Sequence, residues 1–582
     1  MMPVAAVRHV RPKGLGALMA ALMLLVGFLI LLPVSMLLLG SLSKYGPLQE
    51  QFSVFDLSLA NYHRAFSDPN LIAAIGNSFI VCFNGAIVAF LIGAFLALVV
   101  VRTDVPFRRT IEVAALLPLF LPSIVGAIAW SLLASPKAGL LNMLMRATGI
   151  GWTIDFYSLT GITAVLGMYY APYIYMFMSA ALRNIDPSLE EAALISGNGS
   201  FRVLATITLP LIAAAILAST LLSFAVMLGV YSVPAVLGTP AKIGVLTTLI
   251  YRVVSLEPPL YNVGAAISFI LIVLMICCLS LQRLAIGRRS FTTITGKAFK
   301  PRLLRLGSWR YLILALVILY IVVGVVLPIS ALVIAAFRKF MFVPTVASLF
   351  SPNAYSLIHF ERLLEGQSTV RSLRNTLAVS AVTALAGGSL AFVVAYVIER
   401  TRVRGIGVLD ALVMIPIAVP GIVLGVGFIW AWIGLPGGLW GSFAILPLAY
   451  VARFLPDAVK SMSASLRQIH FDLEEASWVS GVGRAATIRS IVLPLVQPGL
   501  VAAMTLLFVL SMREYGSALF LTSPRTVVAS VLLLEFYETA NVGTTAAFSL
   551  IIVAMFAAVT LIVRGVATAF AARTSNAGAM RI

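Results

Sequence analysis

Residues 189–211 read LEEAALISGNGSFRVLATITLPL, and residues 473–495, 284 positions later, read LEEASWVSGVGRAATIRSIVLPL. Over the wider windows 182–211 and 466–495, 14 of 30 positions are identical. The segment is polar in a chain that otherwise reads as apolar helix. It is therefore where the protein is expected to touch something soluble, and two copies predict two contact surfaces.

Outward from this segment, composition fixes the class. Hydrophobic residues make up 61% of the 582 and charged residues 10%, with mean hydropathy +1.05. A soluble domain carries about 25% charged residues, so this chain has too little polar surface to face water. Runs long enough to cross a hydrocarbon core of roughly 30 Å recur along it. Twelve spans are predicted, near 16–40, 75–101, 112–134, 159–181, 205–229, 261–282, 311–335, 376–398, 409–433, 440–458, 490–512 and 543–563. The chain reads as an all-α polytopic membrane protein.

A net charge of +19 raises the question of nucleic acid, and its placement answers it. With the N-terminus inside, about 27 of the 40 Lys and Arg fall on cytoplasmic segments and about 13 outside, the positive-inside bias. The densest cluster (Arg283, Arg288, Arg289, Lys297, Lys300, Arg302, Arg305, Arg310) lies between spans 6 and 7. It reads as a topology signal with some anionic-lipid contact; the bilayer is an expected partner and nucleic acid is not. Arg8, Arg11 and Lys13 precede the first apolar run as in a signal peptide. That run of about 25 residues exceeds a signal core, so an uncleaved first span with both termini cytoplasmic is expected. Cys82, Cys277 and Cys278 sit in apolar runs without metal or disulfide spacing, so no metal site is expected.

The repeat extends beyond the opening segment. Residues 77–103 align without gaps on 375–401, and the register carries Pro118 and Pro122 onto Pro416 and Pro420. The chain divides into a first half, 1–285, a basic cytoplasmic linker, 286–308, and a second half, 309–582. Six spans per half give both halves the same orientation, a parallel repeat about an axis along the membrane normal. The paired prolines of spans 3 and 9 predict kinks, since proline removes a backbone donor. A bent pore-lining helix and a packing kink both fit.

Within the repeated segment, Asp186, Pro187 and Ser188 start a short helix over 189–195. Glu190 and Glu191 lie in its first turn, where the helix dipole favours negative charge. Ala192 and Ala193 are small, and Gly197 or Gly199 supplies the stop. Small residues allow close approach to another protein, and the acidic pair sets orientation.

These residues resemble the cytoplasmic loop of permease subunits of prokaryotic ABC importers, E-A-A, three residues, G, nine residues, I, one residue, L-P. Glu191, Ala192, Ala193, Gly197, Ile207, Leu209 and Pro210 match it in the first half. Glu475, Ala476, Gly481, Ile491, Leu493 and Pro494 match it in the second, with Ser477 in place of the second alanine. The resemblance implies the type I importer permease fold, two parallel six-helix repeats in a bacterial inner (plasma) membrane. It implies that Glu190 and Glu191, with Glu474 and Glu475, belong to coupling helices that dock on two cytoplasmic ABC ATPase subunits. No G-x-x-x-x-G-K-[ST] segment is present, so no cofactor is expected in this chain and ATP is left to the partners.

The segments GVYSVPAVLGTP (229–240), VLTTLIY (245–251) and EPPLYNVGAAIS (257–268) look like those of fused ferric-iron permeases, which work with a periplasmic solute-binding protein. Related permeases carry thiamine, polyamines, phosphonates or other small solutes, and these remain open alternatives. Intramembrane polar groups are costly and usually face the interior. Arg513 and Glu514, which fall opposite Gly229 and Val230 in the repeat, and Tyr231 are the candidate pathway residues. An interfacial ion pair is the other reading of Arg513 and Glu514. Arg453 and Asp457, four apart, predict a same-face pair. Tyr169, Tyr170, Tyr173 and Tyr175 are read mainly as an interface belt. The outer loops 41–74 and 338–374 share a loose pattern of an aromatic-led turn and a short helix. A secondary transporter with a 6+6 repeat is the competing class, but such a carrier has no use for a duplicated coupling motif.

Overall fold

The computed structural model describes residues 15–49, 56–287, 303–340, 348–349, 351–433, 438–539 and 541–579. Most of the basic linker, the N-terminal Arg8, Arg11 and Lys13, and parts of both outer loops lie outside the described residues. In lipid every backbone group must be satisfied within its own segment, and apolar runs accordingly form helices. Among the described residues eight are long and apolar enough to cross a membrane, and the number reaches twelve if each of four bent pairs is one span. The predicted span at 440–458 falls in the helix Ile445–Arg467, which is not one of these twelve. Its counterpart in the first half is Leu159–Arg183, which ends at the equivalent position.

The two halves repeat element by element. Each has a 34-residue helix, Pro69–Arg102 and Gln367–Arg400. The first packs along Leu159–Arg183 and the second along Ile445–Arg467 and Arg484–Met512. Lipid tails are as apolar as leucine, so such contacts depend on close approach through small residues. A Cβ on Gly93 would lie 2.6 Å from the Ala171 carbonyl oxygen, and one on Gly387 2.9 Å from Leu507 Cδ1. Tyr169 and Tyr175 are buried in this packing rather than placed in an interface belt, and Tyr170 stacks on Tyr173 at 5.5 Å.

The paired prolines break their spans outright. Arg108–Leu119 meets Ser123–Ala134 at 91°, and Ile406–Ala418 meets Gly421–Trp432 at 112°. A third bent pair, Ser232–Ala241 with Leu246–Val254 at 81°, lies outside the spans expected from sequence, because neither arm is long enough alone. Leu246 is held at its N–H by the Ser78 hydroxyl (2.9 Å), and Ala529, its repeat equivalent, by Thr376 (2.8 Å). Asn77 donates to the Gly244 carbonyl and Asn375 to that of Val527 in the same register.

The halves exchange helices. Leu15–Leu42 packs on its own half's Tyr261–Gly287 and on Gly421–Trp432 of the other half. Leu327–Phe337 does the reverse, packing on Val542–Ala579 and on Ser123–Ala134. The outer segments each carry a short helix as predicted, Ala60–Ser67 and Ile358–Glu365. These are preceded by equivalent bridges, Ser43 to Leu57 and Arg338 to Tyr355.

Candidate functional site

The repeated motif forms the short helices Pro187–Ile195 and Asp472–Val479. Asp186 caps the first, accepting from the Ser188 N–H at 2.9 Å, and Pro187 fills the first turn where no donor is needed. The motif glycines end both helices. Gly197 has φ +84° and Gly481 φ +80°, and in each the next residue donates back to the carbonyl five positions earlier (Asn198 to Ala193, Val482 to Ser477). That closure needs a left-handed residue, which glycine adopts without steric cost. Of the two proposed stops it is Gly197 that acts.

The acidic pair splits its duties. Glu190 is buried and paired with Arg102 Nη1 at 2.9 Å; it also accepts from the Thr208 hydroxyl at 2.7 Å. Glu474 is fully buried, 3.3 Å from Arg400 Nε, and accepts from the Tyr396 hydroxyl at 2.8 Å. Arg102 and Arg400 end the two 34-residue helices, so each short helix is tethered to a long one. Arg102 also donates to the Leu182 carbonyl, and Arg400 to those of Leu466 and Ile469. Glu191 and Glu475 point outward and are exposed, with Ile195 (87% exposed), Phe201 (83%) and Val479 (89%) beside them. Ala192 and Ala476 are exposed on the same side.

Ser477 departs from the motif for a visible reason. Its hydroxyl lies 2.9 Å from that of Thr487, both buried. The first half has Ala193 and buried Val203 at these two positions, so an apolar pair is exchanged for a hydrogen-bonded one. Leu209-Pro210 and Leu493-Pro494 each follow a π-turn, Leu204–Thr208 and Ile488–Val492. The wider turn leaves room for a proline that can neither donate nor pack as a continuing residue.

At the other end of the long helices lies a cavity of about 1060 Å³. Asn70 and Asn77 from the start of Pro69–Arg102 line it, with Tyr231, Tyr251 and Lys242 from the first half and Tyr537 and Glu538 from the second. Burial, and then Glu535, hold the Glu538 carboxyl above the ordinary carboxylate range. Tyr231 is thus in the cavity wall. Arg513 and Glu514 are not among the lining residues, and they do not pair with each other. Glu514 is 2.9 Å from Arg453 Nε and accepts from the Ser517 N–H and hydroxyl, so Arg453 pairs with Glu514 and not with the exposed Asp457. Arg513 reaches the Leu121 carbonyl at 3.5 Å, and Arg453 the Val419 carbonyl at 3.2 Å. Leu121 and Val419 are repeat equivalents, each at the break of its proline-split span. The carbonyls left over at the breaks are met by arginines of the second half.

Residues 89–291 and 370–576 each match the model of the family described as "Binding-protein-dependent transport system inner membrane component". The chain belongs to this family. Among curated relatives, the ferric transport system permease protein FbpB of Actinobacillus pleuropneumoniae is 26% identical over 84% of this chain and 70% of its own length. A putative ferric transport system permease of Haemophilus influenzae is 26% identical over 80% of this chain and 72% of its own. A crystal structure of a bacterial ABC transporter involved in alginate import aligns over 47% of this chain and 96% of that chain, with 20% identity and a TM-score of 0.40.

In this binding-protein-dependent permease the motif helices are legible in the sequence and three other features are not. Arg102 and Arg400, the partners of Glu190 and Glu474, lie 88 and 74 positions away from them. Glu538 lines a cavity built mostly by the other half. Tyr515 carried a usable signal, since the register that sets Arg513 opposite Gly229 also sets Tyr515 opposite Tyr231.

Proposed function

We propose that this chain is a fused permease that supplies the whole transmembrane pathway of an ABC importer, with ferric iron as cargo. The observation that carries the reading is the pair of short helices, each tied by a buried Arg–Glu bridge to a 34-residue membrane helix while presenting Glu191 or Glu475 outward. Such a helix can neither swing free nor sink into the bundle. A protein that grips its exposed face moves the long helix with it.

In this reading the motif end is cytoplasmic and two ABC ATPase subunits dock there, one per half. ATP is bound by those subunits, and this chain holds no cofactor of its own. The opposite end, with the cavity, faces a periplasmic binding protein. Ferric iron is the preferred cargo because three relatives that are similar over four-fifths of the chain or more are named as ferric permeases.

The test is reconstitution of the permease with its ATPase and binding protein in proteoliposomes. ATP-dependent uptake of radiolabelled ferric iron is expected, with two ATPase subunits per permease. Uptake of thiamine, a polyamine or a phosphonate in its place would overturn the cargo. Full uptake by the permease alone would overturn the ATPase coupling.

A further inference from the structure

The helices Ala213–Leu228 and Leu493–Met512 end at equivalent positions of the repeat, and the same offset of 284 carries Tyr231 onto Tyr515. These two rings touch, with centroids 5.6 Å apart, and both are buried. Two equivalent positions related by a twofold axis can meet only on that axis. In a parallel repeat the axis runs along the membrane normal, which is the direction of transport. The pair therefore stands in the line that a solute follows between the halves.

The surroundings of the pair are chemically biased. Tyr231 forms part of the cavity wall, and Tyr251, 5.1 Å from it ring to ring, lines the same space with Glu538; Tyr515 is not itself in the wall and meets it through the Tyr231 ring. None of the cavity's lining residues is His, Cys or Met; the oxygen groups are phenols, hydroxyls, amides and the one carboxylate of Glu538, and the cationic side chains are Lys242 and Arg252. The buried Tyr515 hydroxyl makes no well-formed hydrogen bond, and the Tyr231 hydroxyl is a near polar neighbour. Oxygen donors of this kind suit hard cations, whereas thiolate and thioether suit soft ones. Among the described residues no group of three or more His, Cys, Asp or Glu is placed to hold a metal ion.

We propose that Tyr231 and Tyr515 are the cargo-contacting constriction on the translocation axis, and that with Tyr251 and Glu538 they form an oxygen-donor station for a hard metal cation in transit. The proposal rests on the ferric-import reading. Two features make the station a place of passage. Tyr231 and Tyr251 belong to the first half and Tyr515 and Glu538 to the second, so relative movement of the halves dismantles it. Lys242 puts a positive charge on the same cavity, while Arg252 is offset by Asp68 at 3.7 Å. Conduction requires binding strong enough to admit the ion and weak enough to release it.

The test uses the full transporter in nanodiscs, titrated with ferric ion supplied as its nitrilotriacetate chelate and read by visible absorption for a ferric–phenolate band. Uptake is measured in proteoliposomes in parallel. The wild type is expected to show the band. The double variant Tyr231→Phe/Tyr515→Phe keeps both rings and should lose the band, with uptake falling by at least about tenfold, the low end of what loss of a group supporting a metal site costs. Glu538→Gln should shift the titration to higher ferric concentration. Wild-type ferric uptake with no band, and unchanged uptake in the double variant, would overturn the station and leave the import reading standing. A band that survives in the double variant would also overturn it. A wild-type transporter that takes up an oxyanion and no ferric ion would bring down the cargo reading first and the station with it.

Discussion

Glu474 has no exposed surface, and among the described residues its ion-pair partner is Arg400 at 3.3 Å. A buried ion pair contributes little net stability, but stripping one member leaves the other uncompensated at about 3–5 kcal/mol. Glu474→Ala is therefore expected to lower the unfolding temperature of the purified permease steeply, and Glu190→Ala likewise through Arg102. The double variant Arg400→Met/Glu474→Met should recover most of that loss. If the bridge is a mechanical tether, the recovered protein hydrolyses ATP through its partners and moves less cargo per ATP than the wild type. A double variant with the wild-type ratio of uptake to hydrolysis would refute the tether. Sequence made the acidic pair conspicuous but not its division of labour. Neighbours on a helix point about 100° apart, and which of them faces inward is decided by Arg102 and Arg400, far away in the chain. The stop, by contrast, was legible as far as a choice between Gly197 and Gly199, and the φ of +84° at Gly197, which glycine adopts without steric cost, decides it.

At the scale of elements, the exposed face of each short helix combines one carboxylate with large apolar side chains, Glu191 with Ile195 and Glu475 with Val479. Charge reversal at both carboxylates, Glu191→Arg with Glu475→Arg, breaks no side-chain hydrogen bond or ion pair among the described residues and is expected to leave thermal stability within about 0.5 kcal/mol. Copurification of the ATPase should nevertheless drop. Unchanged copurification and unchanged ATP-driven uptake would remove these helices from the coupling role. The helices themselves were readable because an acidic first turn and a glycine stop fall within a dozen residues in both, with the Asp186 cap added in the first. The broken spans were only half readable. Pro122 and Pro420 announced a disturbance, but a kink becomes a break of 91° or 112° only where something else meets the spare carbonyls. Here Arg513 and Arg453 do so from remote positions. The bent arms Ser232–Ala241 and Leu246–Val254 were not legible for a simpler reason. Each is too short to resemble a span, and the hydroxyl of Ser78 that fixes their fold lies on another helix.

The whole molecule is held as two halves that clasp each other, and the clasp is built from exchange. Leu15–Leu42 lies against Gly421–Trp432 with Phe28 edge-on to Trp432 at 4.9 Å, and a Cβ on Gly427 would lie 2.7 Å from the Pro33 carbonyl oxygen. Leu327–Phe337 makes the reciprocal contact on Ser123–Ala134. Across the middle, the Tyr537 hydroxyl donates to the Val236 carbonyl at 2.9 Å. At the motif end, Leu304 donates to the Arg102 carbonyl at 2.7 Å and accepts from the Asp104 N–H, while the Leu306 N–H meets the Asp104 carboxylate at 2.9 Å. Every one of these contacts joins residues on opposite sides of the segment between 287 and 303, so none depends on the chain being continuous there. A protease site inserted in that segment, cleaved after membrane assembly, is expected to give two fragments that coelute in mild detergent. Uptake in proteoliposomes should stay within about twofold of the uncut protein, because tethering supplies effective concentration rather than new contacts once the partners have met. Fragments that separate on a tag placed on one of them would mean that the linker, and not the exchanged helices, keeps the two halves of the pathway in register.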